Sequence, residues 1–341
     1  MNKIELIFSQ YILKISKPFI TSKGTLKERK GFILKLTGSS GKTGIGDAAP
    51  FPEFGSESFK EAEKALNNFN LKFKLDLDNL FDSLDYTLSP LNIYPSLRHG
   101  FEQALLNLIC NEKNISLNDL LGRSSLKIIN VNAVVGLMTP KKSAQAALNF
   151  LEEGYSVLKV KIGRDTFRND YDSIEAIKEA VGNKLKIRLD VNGKWNLEQA
   201  EKHLRKLENF DIEYVEQPVN SIDDFVRLSK LTKIPIAADE SIRSLDDANN
   251  FINSNAAGVL ILKPMMLGGI IPTLKIIDQA SDKDIKTVIT SSFESSVGRA
   301  LAIFAASLVH ENIAHGLATS GYFENDLTED PYPVKHGKIF L

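Results

Sequence analysis

A chain of 341 residues is too long for one small hydrophobic core, and it suits a barrel-sized domain with a second domain attached. Its 43% apolar and 25% charged residues are ordinary for a globular protein, and a formal net charge of −1 argues against nucleic acid as a partner, because phosphate binding needs a basic surplus. The single cysteine, Cys110, excludes an intrachain disulfide and is typical of a reducing compartment. The N-terminus lacks the apolar core of a signal peptide, and the sequence has no run of 18 apolar residues, so we expect a soluble cytoplasmic protein with no membrane partner.

The first part of the chain, residues 1–125, predicts an α+β domain in which strands come first and helices follow. In chain order, the predicted elements are strands at 3–16 and 28–38, a Gly- and Pro-rich loop at 41–57, and helices at 56–68 and 95–111.

From residue 126 to residue 319 the pattern changes to a strict alternation of strands and helices. The strands are predicted near 129–136, 156–162, 186–191, 212–216, 234–239, 258–263, 286–291 and 312–317, and the helices near 139–154, 166–181, 197–208, 221–231, 244–254, 271–281 and 295–309. The fold class is therefore α/β, a modified TIM barrel of eight strands and seven helices with an N-terminal α+β capping domain. We expect the tail, residues 320–341, to return to the capping domain and complete it.

Five of the predicted barrel strands carry charge at or just before their carboxyl ends. The residues are Lys159 and Lys161 on LKVKI, Asp190 on RLDVN, Glu216 on YVEQP, Asp239 on AADES and Lys263 on LILKP. From Lys161 onward the steps are 29, 26, 23 and 24 residues, about one βα unit each. Because barrel active sites lie at the carboxyl ends of the strands, we expect these side chains to face one mouth.

Three of these residues predict a metal site. Asp190, Glu216 and Asp239 lie on consecutive strands, and carboxylate oxygens with open positions favour Mg²⁺, with Mn²⁺ as a substitute. Histidine and cysteine are missing from these strand ends, which disfavours zinc. The alternative for any one of them is an ordinary carboxylate that caps a helix, although Glu216, which precedes Gln217-Pro218, does not fit that role.

The lysines predict proton transfer beside the metal. Lys159 and Lys161 are two residues apart on one strand, so they point to the same side. Like charge and partial burial lower the pKa of a lysine, so one of the pair is expected to accept a proton near neutrality. Lys263 follows an apolar run, which argues against a lysine in solvent. Such a site suits removal of a proton α to a substrate carboxylate, with the metal stabilising the enediolate.

With these motifs the chain resembles the enolase superfamily and, within it, the muconate lactonizing enzyme subgroup. The resemblance extends over nearly the whole chain and is carried by the K-x-K strand, the Asp, Glu and Asp strand ends, and the lysine on the sixth strand. It implies that Asp190, Glu216 and Asp239 are magnesium ligands, that Lys161 is the base, and that Lys263 lies on the opposite face of the substrate. The mandelate racemase branch is excluded, because its seventh-strand histidine has no counterpart in TVITSSFESS (287–296).

Three segments bear on the choice within the subgroup, which includes cycloisomerases, dipeptide epimerases, N-succinylamino acid racemases and o-succinylbenzoate synthases. Dipeptide epimerases typically carry Asp-x-Asp after the eighth strand, whereas residues 315–323 here read HGLATSGYF. Residues 47–58, 290–298 and 315–323 all resemble o-succinylbenzoate synthase segments. The resemblance thus implies magnesium-dependent dehydration of 2-succinyl-6-hydroxy-2,4-cyclohexadiene-1-carboxylate, a step of menaquinone synthesis. An N-succinylamino acid racemase, a muconate-type cycloisomerase and a non-catalytic barrel that binds a ligand are the alternatives.

The expected partner is a small-molecule carboxylate, and a homo-oligomer is compatible with the sequence. Ser291 and Ser292, with nearby backbone amides, are candidates for binding the succinyl carboxylate. We expect loops near 19–26 and 48–57 to close over the mouth and to supply an apolar wall. The candidates for that wall are Phe19, Phe51 and Phe54.

Overall fold

An antiparallel sheet of three strands, in the order β1–β2–β3, opens the chain. The strands are β1 (Glu5–Thr21), β2 (Gly24–Thr37) and β3 (Thr43–Ala48). The computed structural model describes residues 4–21, 24–68 and 75–341, and the side chains of 17–21 and 24–25 lie outside this description.

Among the residues described, four helices complete the N-terminal domain: α1 (Phe59–Asn67), α2 (Leu80–Leu88), α3 (Pro95–Lys113) and α4 (Leu117–Leu121). Helix α1 begins at a capping box, in which Ser58 accepts a hydrogen bond from the Glu61 amide and the Glu61 carboxylate accepts one from the Ser58 amide. Helix α3 lies directly on β3, because a Cβ at Gly46 would come within 2.0 Å of the Gly100 carbonyl oxygen. Only glycine permits this close approach of helix and sheet.

A parallel sheet of seven strands forms the second domain, as the alternating pattern predicts. The strands, in chain and spatial order, are β5 (Ala133–Val135), β6 (Val157–Lys161), β7 (Lys186–Asp190), β8 (Ile212–Glu216), β9 (Ile236–Ala238), β10 (Val259–Leu262) and β11 (Lys286–Ile289), and the short β4 (Ile128–Asn130) precedes them. The predicted eighth strand at 312–317 is represented by two isolated parallel bridges, from His315 to Val131 and from Gly316 to Thr290. These bridges connect the two edges of the sheet.

Within the described residues, one helix follows each strand of this sheet. The helices are α5 (Pro140–Glu152), α6 (Phe167–Val181), α7 (Leu197–Leu207), α8 (Ile222–Leu228), α9 (Leu245–Ser254), α10 (Ile270–Ser281) and α11 (Ser296–Ser307). One continuous cluster of buried apolar side chains, which includes Leu34 and Phe101 of the first domain and Leu189 and Leu262 of the second, joins the two domains. None of the helices in the described ranges is both long and apolar enough to cross a bilayer.

The tail contacts both domains. Phe323 bridges to Ile15 of β1, and the Glu324 amide donates to the Lys14 carbonyl at 2.9 Å. The last strand, β12 (Lys338–Phe340), instead pairs antiparallel with β4 at the start of the second domain. The contacts of the tail with the capping domain are therefore made near residues 320–324, and its end packs against the barrel.

Candidate active site

The carboxyl ends of β6, β7 and β8 bring two lysines and two carboxylates together. Lys161 is in register with Asp190, and Asp190 with Glu216, so the parallel strands align the three side chains. The Lys159 ammonium lies 3.0 Å from Asp190 Oδ2 and 2.6 Å from Glu216 Oε1. The Lys161 ammonium lies 3.3 Å from the same Asp190 oxygen. Both carboxylate side chains are 1% exposed, so these ion pairs are screened little by water.

The next two strands complete the predicted set. Lys263, just beyond β10, forms an ion pair with Asp239, just beyond β9. Lys263 Nζ also lies 5.3 Å from the ring centroid of Phe54, which comes from the first domain. All six charged residues predicted at the strand ends line one pocket between the domains.

Asn192 and Glu240 also belong to this constellation, although sequence reasoning did not assign them a role. Asn192 accepts a hydrogen bond from Lys161 at 3.0 Å and donates one to Glu240 Oε1 at 2.8 Å. The other carboxylate oxygen of Glu240 is buried and has no hydrogen-bond partner among the described residues. The available signal was their position, because Asn192 follows Asp190 by two residues and Glu240 follows Asp239 directly.

The donor set suits a hard divalent cation. The Lys159 ammonium lies between Asp190 and Glu216, so positive charge is stabilised at that point, and the second carboxylate oxygen of Glu240 is an additional donor of the same type. In the described ranges, no three acidic, histidine or cysteine side chains form a ready-made metal cage. Lysine ammonium groups instead contact the carboxylates that the sequence predicts as ligands.

Burial and neighbouring charge shift the pKa values of these groups. Burial lowers the pKa of Lys263 to about 7, against the opposing effect of the Glu216 carboxylate. Burial also disfavours the charged form of Lys159, but the Asp190 and Glu216 carboxylates outweigh it and raise the pKa of that lysine. The lowered pKa that the sequence predicts for one lysine of the pair is therefore not found at Lys159. At Asp190 burial is outweighed by the two ammonium groups, which lower the pKa of the carboxyl.

Of the two predicted serines, Ser291 lines the pocket. Its hydroxyl donates to Glu294 Oε2 at 3.2 Å and accepts from the Phe293 amide at 3.0 Å and from Thr319 Oγ1 at 2.9 Å. Ser292 is buried and is absent from the pocket lining in the described part of the chain, and its amide donates to the Glu294 carboxylate.

The three predicted phenylalanines differ in position. Phe54 lines the pocket, and Phe51 lies behind it with a ring stacked on that of Phe54 at a centroid distance of 4.2 Å. The side chain of Phe19 lies outside the described residues. Sequence reasoning did not find Tyr322, which also lines the pocket and comes from the tail.

Two family models together match most of the chain. One, described as "Enolase C-terminal domain-like", matches residues 142–341, and the other, described as "MenC, N-terminal domain", matches residues 2–108. The chain therefore belongs to the enolase superfamily and, like its relatives, is an enzyme. The resemblance recognised in the sequence is confirmed.

The relatives have more than one activity. An o-succinylbenzoate synthase from Thermobifida fusca is 34% identical over 62% of this chain, and the match spans 66% of that relative's length. An N-succinyl-L-Arg/Lys racemase from Bacillus cereus is 26% identical over 86% of this chain and 81% of its own. Among solved structures, a substrate-liganded L-Ala-D/L-Glu epimerase from Bacillus subtilis superposes with a TM-score of 0.90 at 27% identity, covering 100% of this chain and 96% of that one. That similarity confirms an α/β fold with a parallel sheet and a separate N-terminal domain.

Proposed function

We propose that the chain is an o-succinylbenzoate synthase, which dehydrates 2-succinyl-6-hydroxy-2,4-cyclohexadiene-1-carboxylate for menaquinone synthesis in the cytoplasm. The match of residues 2–108 to the MenC N-terminal domain carries this choice, since the first domain supplies Glu53 and Phe54 to the pocket. The relative from Thermobifida fusca supports it.

Asp190, Glu216 and Asp239 would hold Mg²⁺, with Mn²⁺ as a substitute, and the second carboxylate oxygen of Glu240 lies in the same pocket. When bound, the ion supplies Lewis-acid stabilisation of the negative charge that develops on the substrate carboxylate. An all-oxygen donor set is the type that magnesium prefers.

Proton transfer is assigned to Lys161. The Asp190 and Asn192 oxygens hold its amine, at 3.3 and 3.0 Å. Lys161 takes the proton α to the ring carboxylate, and the C–H electron pair forms the new ring double bond as the C–O bond to the hydroxyl breaks. The Lys161 ammonium returns that proton to the leaving hydroxide, which departs as water. Lys263, in its ammonium form, offsets negative charge on the substrate from another strand of the barrel.

Racemisation of N-succinylamino acids is the second candidate function, and the Bacillus cereus relative favours it. Both reactions need a lysine beside an α-carbon, but racemisation requires Lys161 and Lys263 to exchange protons with opposite faces of the substrate. Dehydration requires only one of them to move a proton.

A direct assay distinguishes these functions. The purified protein with Mg²⁺ should convert the diene to o-succinylbenzoate, followed as loss of its ultraviolet absorbance. In deuterium oxide, N-succinylamino acids should show little α-exchange. Ala-Glu dipeptides should react poorly, because 315–323 offers no acid to their ammonium group and an unpaired buried charge costs several kcal/mol. Racemisation or epimerisation far faster than dehydration would overturn the proposed substrate.

A further inference from the structure

One buried arginine connects the two domains beside the pocket. Arg29 on β2 is 4% exposed, and its guanidinium donates to three backbone carbonyl oxygens. Nη1 and Nη2 lie 2.8 Å from the Pro50 and Ala49 oxygens, which follow β3, and Nε lies 3.2 Å from the Phe293 oxygen, which follows β11. A single side chain thus ties a loop of the first domain to a loop of the barrel.

Both tied loops form walls of the pocket. The Arg29 guanidinium covers the Phe51 ring at 4.2 Å, Phe51 stacks on Phe54, and Phe54 faces the pocket near Lys263. Phe293 lines the pocket from the barrel side. Because these three hydrogen bonds all go to main-chain oxygens, the arginine orders the walls rather than contacting a substrate.

Asp47 reinforces the same junction. Its buried carboxylate accepts hydrogen bonds from Tyr11 Oη at 2.8 Å and from the amide and hydroxyl of Ser295 at 3.0 and 2.7 Å. Ser295 directly precedes α11, two residues after the carbonyl that Arg29 holds. Arg29 and Asp47 therefore both connect the first domain to the barrel through buried hydrogen bonds. Of the two, Arg29 also contacts the ring of Phe51.

We propose that Arg29 is a positioning residue for substrate binding, because it fixes the Phe51–Phe54 pair relative to Phe293. The planar fork of an arginine can hold three carbonyls at once, whereas a lysine ammonium is a compact point charge that cannot span them. Arg29→Lys keeps the charge and removes this geometry. The proposal rests on the proposed function only for the choice of assay substrate.

Hydrogen exchange tests the positioning role without any substrate. In Arg29→Lys, amide exchange should increase together in 49–54 and 291–295, by about tenfold or more, while α7 (197–207) is unchanged. Arg123→Lys, which alters an arginine paired with Asp278 outside the pocket, should change neither loop. Unchanged exchange in either loop, or an equal increase in α7, would overturn the proposal.

Kinetics with the diene test the effect on substrate binding. Arg29→Lys should raise KM about tenfold with kcat within about threefold, and Phe54→Leu should act in the same direction. If Arg29 acts through Phe54, the double variant should cost no more than the more severe single variant. Additive effects, or a loss of kcat at unchanged KM, would contradict the proposal.

The two proposals can fail separately. If Arg29→Lys does not fold, Phe51→Leu replaces it in the same cycle with Phe54→Leu, because it leaves the three hydrogen bonds of Arg29 intact and removes the ring between Arg29 and Phe54. If the wild type does not turn over the diene, the proposed function fails, and hydrogen exchange in the Arg29→Lys variant still decides the positioning role.

Discussion

Lys161 differs from its neighbour Lys159 in what holds its amine. The Lys159 ammonium lies 3.0 and 2.6 Å from the carboxylates of Asp190 and Glu216, whereas the Lys161 amine lies 3.3 Å from Asp190 and 3.0 Å from the neutral amide oxygen of Asn192. The carboxylates raise the pKa of Lys159, which makes it a poor base near neutral pH and leaves Lys161 as the proposed base of the pair.

Lys161→Ala should therefore lower kcat by at least about 100-fold, the scale of general-base catalysis, with the circular dichroism spectrum unchanged. Lys161→Arg should be nearly as inactive, because a guanidinium does not lose its proton near neutral pH. Lys159→Ala is the matched comparison and should be milder, and Lys263→Ala should be as severe as Lys161→Ala. If Lys159→Ala were inactive and Lys161→Ala active, the base would be Lys159 and the assignment to Lys161 would be wrong.

Substitution of a carboxylate at a strand end should affect activity and metal binding more than substitution of an ordinary surface acid. Asp190→Asn, Glu216→Gln and Asp239→Asn should each lower activity at least about 100-fold and reduce bound magnesium, as measured by elemental analysis. Asp278→Asn, which removes an acid paired with Arg123 outside the pocket, should alter neither quantity. Full turnover in excess chelator by metal-free protein would exclude the proposed role of these residues.

At the residue scale, the sequence predicted the charged side chains at the carboxyl ends of the barrel strands. The six charged residues predicted at the carboxyl ends of these strands stand out because buried parallel strands rarely carry charge, and the structure brings all six into one pocket. Asn192 and Glu240 were not predicted, since an amide or acid in a loop has many ordinary uses. Their contacts depend on loops from different strands, which sequence spacing does not determine.

At the element scale, α10 shows how a contact between the two domains can cap a helix. Gly268 and Gly269 precede this helix with φ values of 85° and 142°, a backbone conformation that favours glycine. The N-terminus is occupied by the Glu102 carboxylate of α3, which accepts hydrogen bonds from the Ile270 amide and, at 3.1 Å, from the Ile271 amide. A helix start can be read from the sequence, but a cap supplied from 168 residues away cannot.

This buried cap should make stability depend on pH. Burial raises the pKa of Glu102 from 4.5 to about 7, against the opposing charge of Arg98. Because the folded-state pKa is raised, the contribution of Glu102 to stability is fully present below about pH 4.5 and is lost as the pH rises through about 7. One such carboxyl lowers the unfolding free energy by about 1.4 kcal/mol for each unit of pH between these two values. Glu102→Gln should therefore make the unfolding free energy decline less steeply over this pH range.

Urea unfolding at several pH values measures this slope. Asp47 and Glu294, whose pKa values burial raises to about 6 and about 7, contribute with the same sign, so part of the decline should remain in Glu102→Gln. The exposed Asp119→Asn serves as the control and should leave the slope between pH 4.5 and 7 unchanged. A Glu102→Gln variant with the wild-type slope would show that the carboxyl ionises normally in the fold.

At the scale of the whole molecule, the sequence predicted an N-terminal domain followed by a domain of alternating strands and helices. It predicted the closure of the barrel and the path of the tail less well. Alternation over 126–319 is a local signal that repeats with each unit, so the strands β5–β11 were located. The predicted strand at 312–317 became two isolated bridges, because its pairing depends on both edges of the sheet at once. The path of the tail depends likewise on distant partners, β1 for Phe323 and β4 for the last strand.

The pocket lies where these parts meet, so cation binding there should stabilise the whole chain. An ion that binds the folded state alone adds about 2.7 kcal/mol at a concentration of 100 times its dissociation constant. Mg²⁺ should accordingly raise the Tm of the chelated wild type by several degrees in differential scanning calorimetry. Asp239→Asn should lose most of this response, whereas Asp278→Asn should keep it, because only the first variant removes a carboxylate of the pocket. An equal rise in all three proteins would mean that Mg²⁺ acts elsewhere on the surface, and the carboxylates at the strand ends would then be partners of the lysines alone.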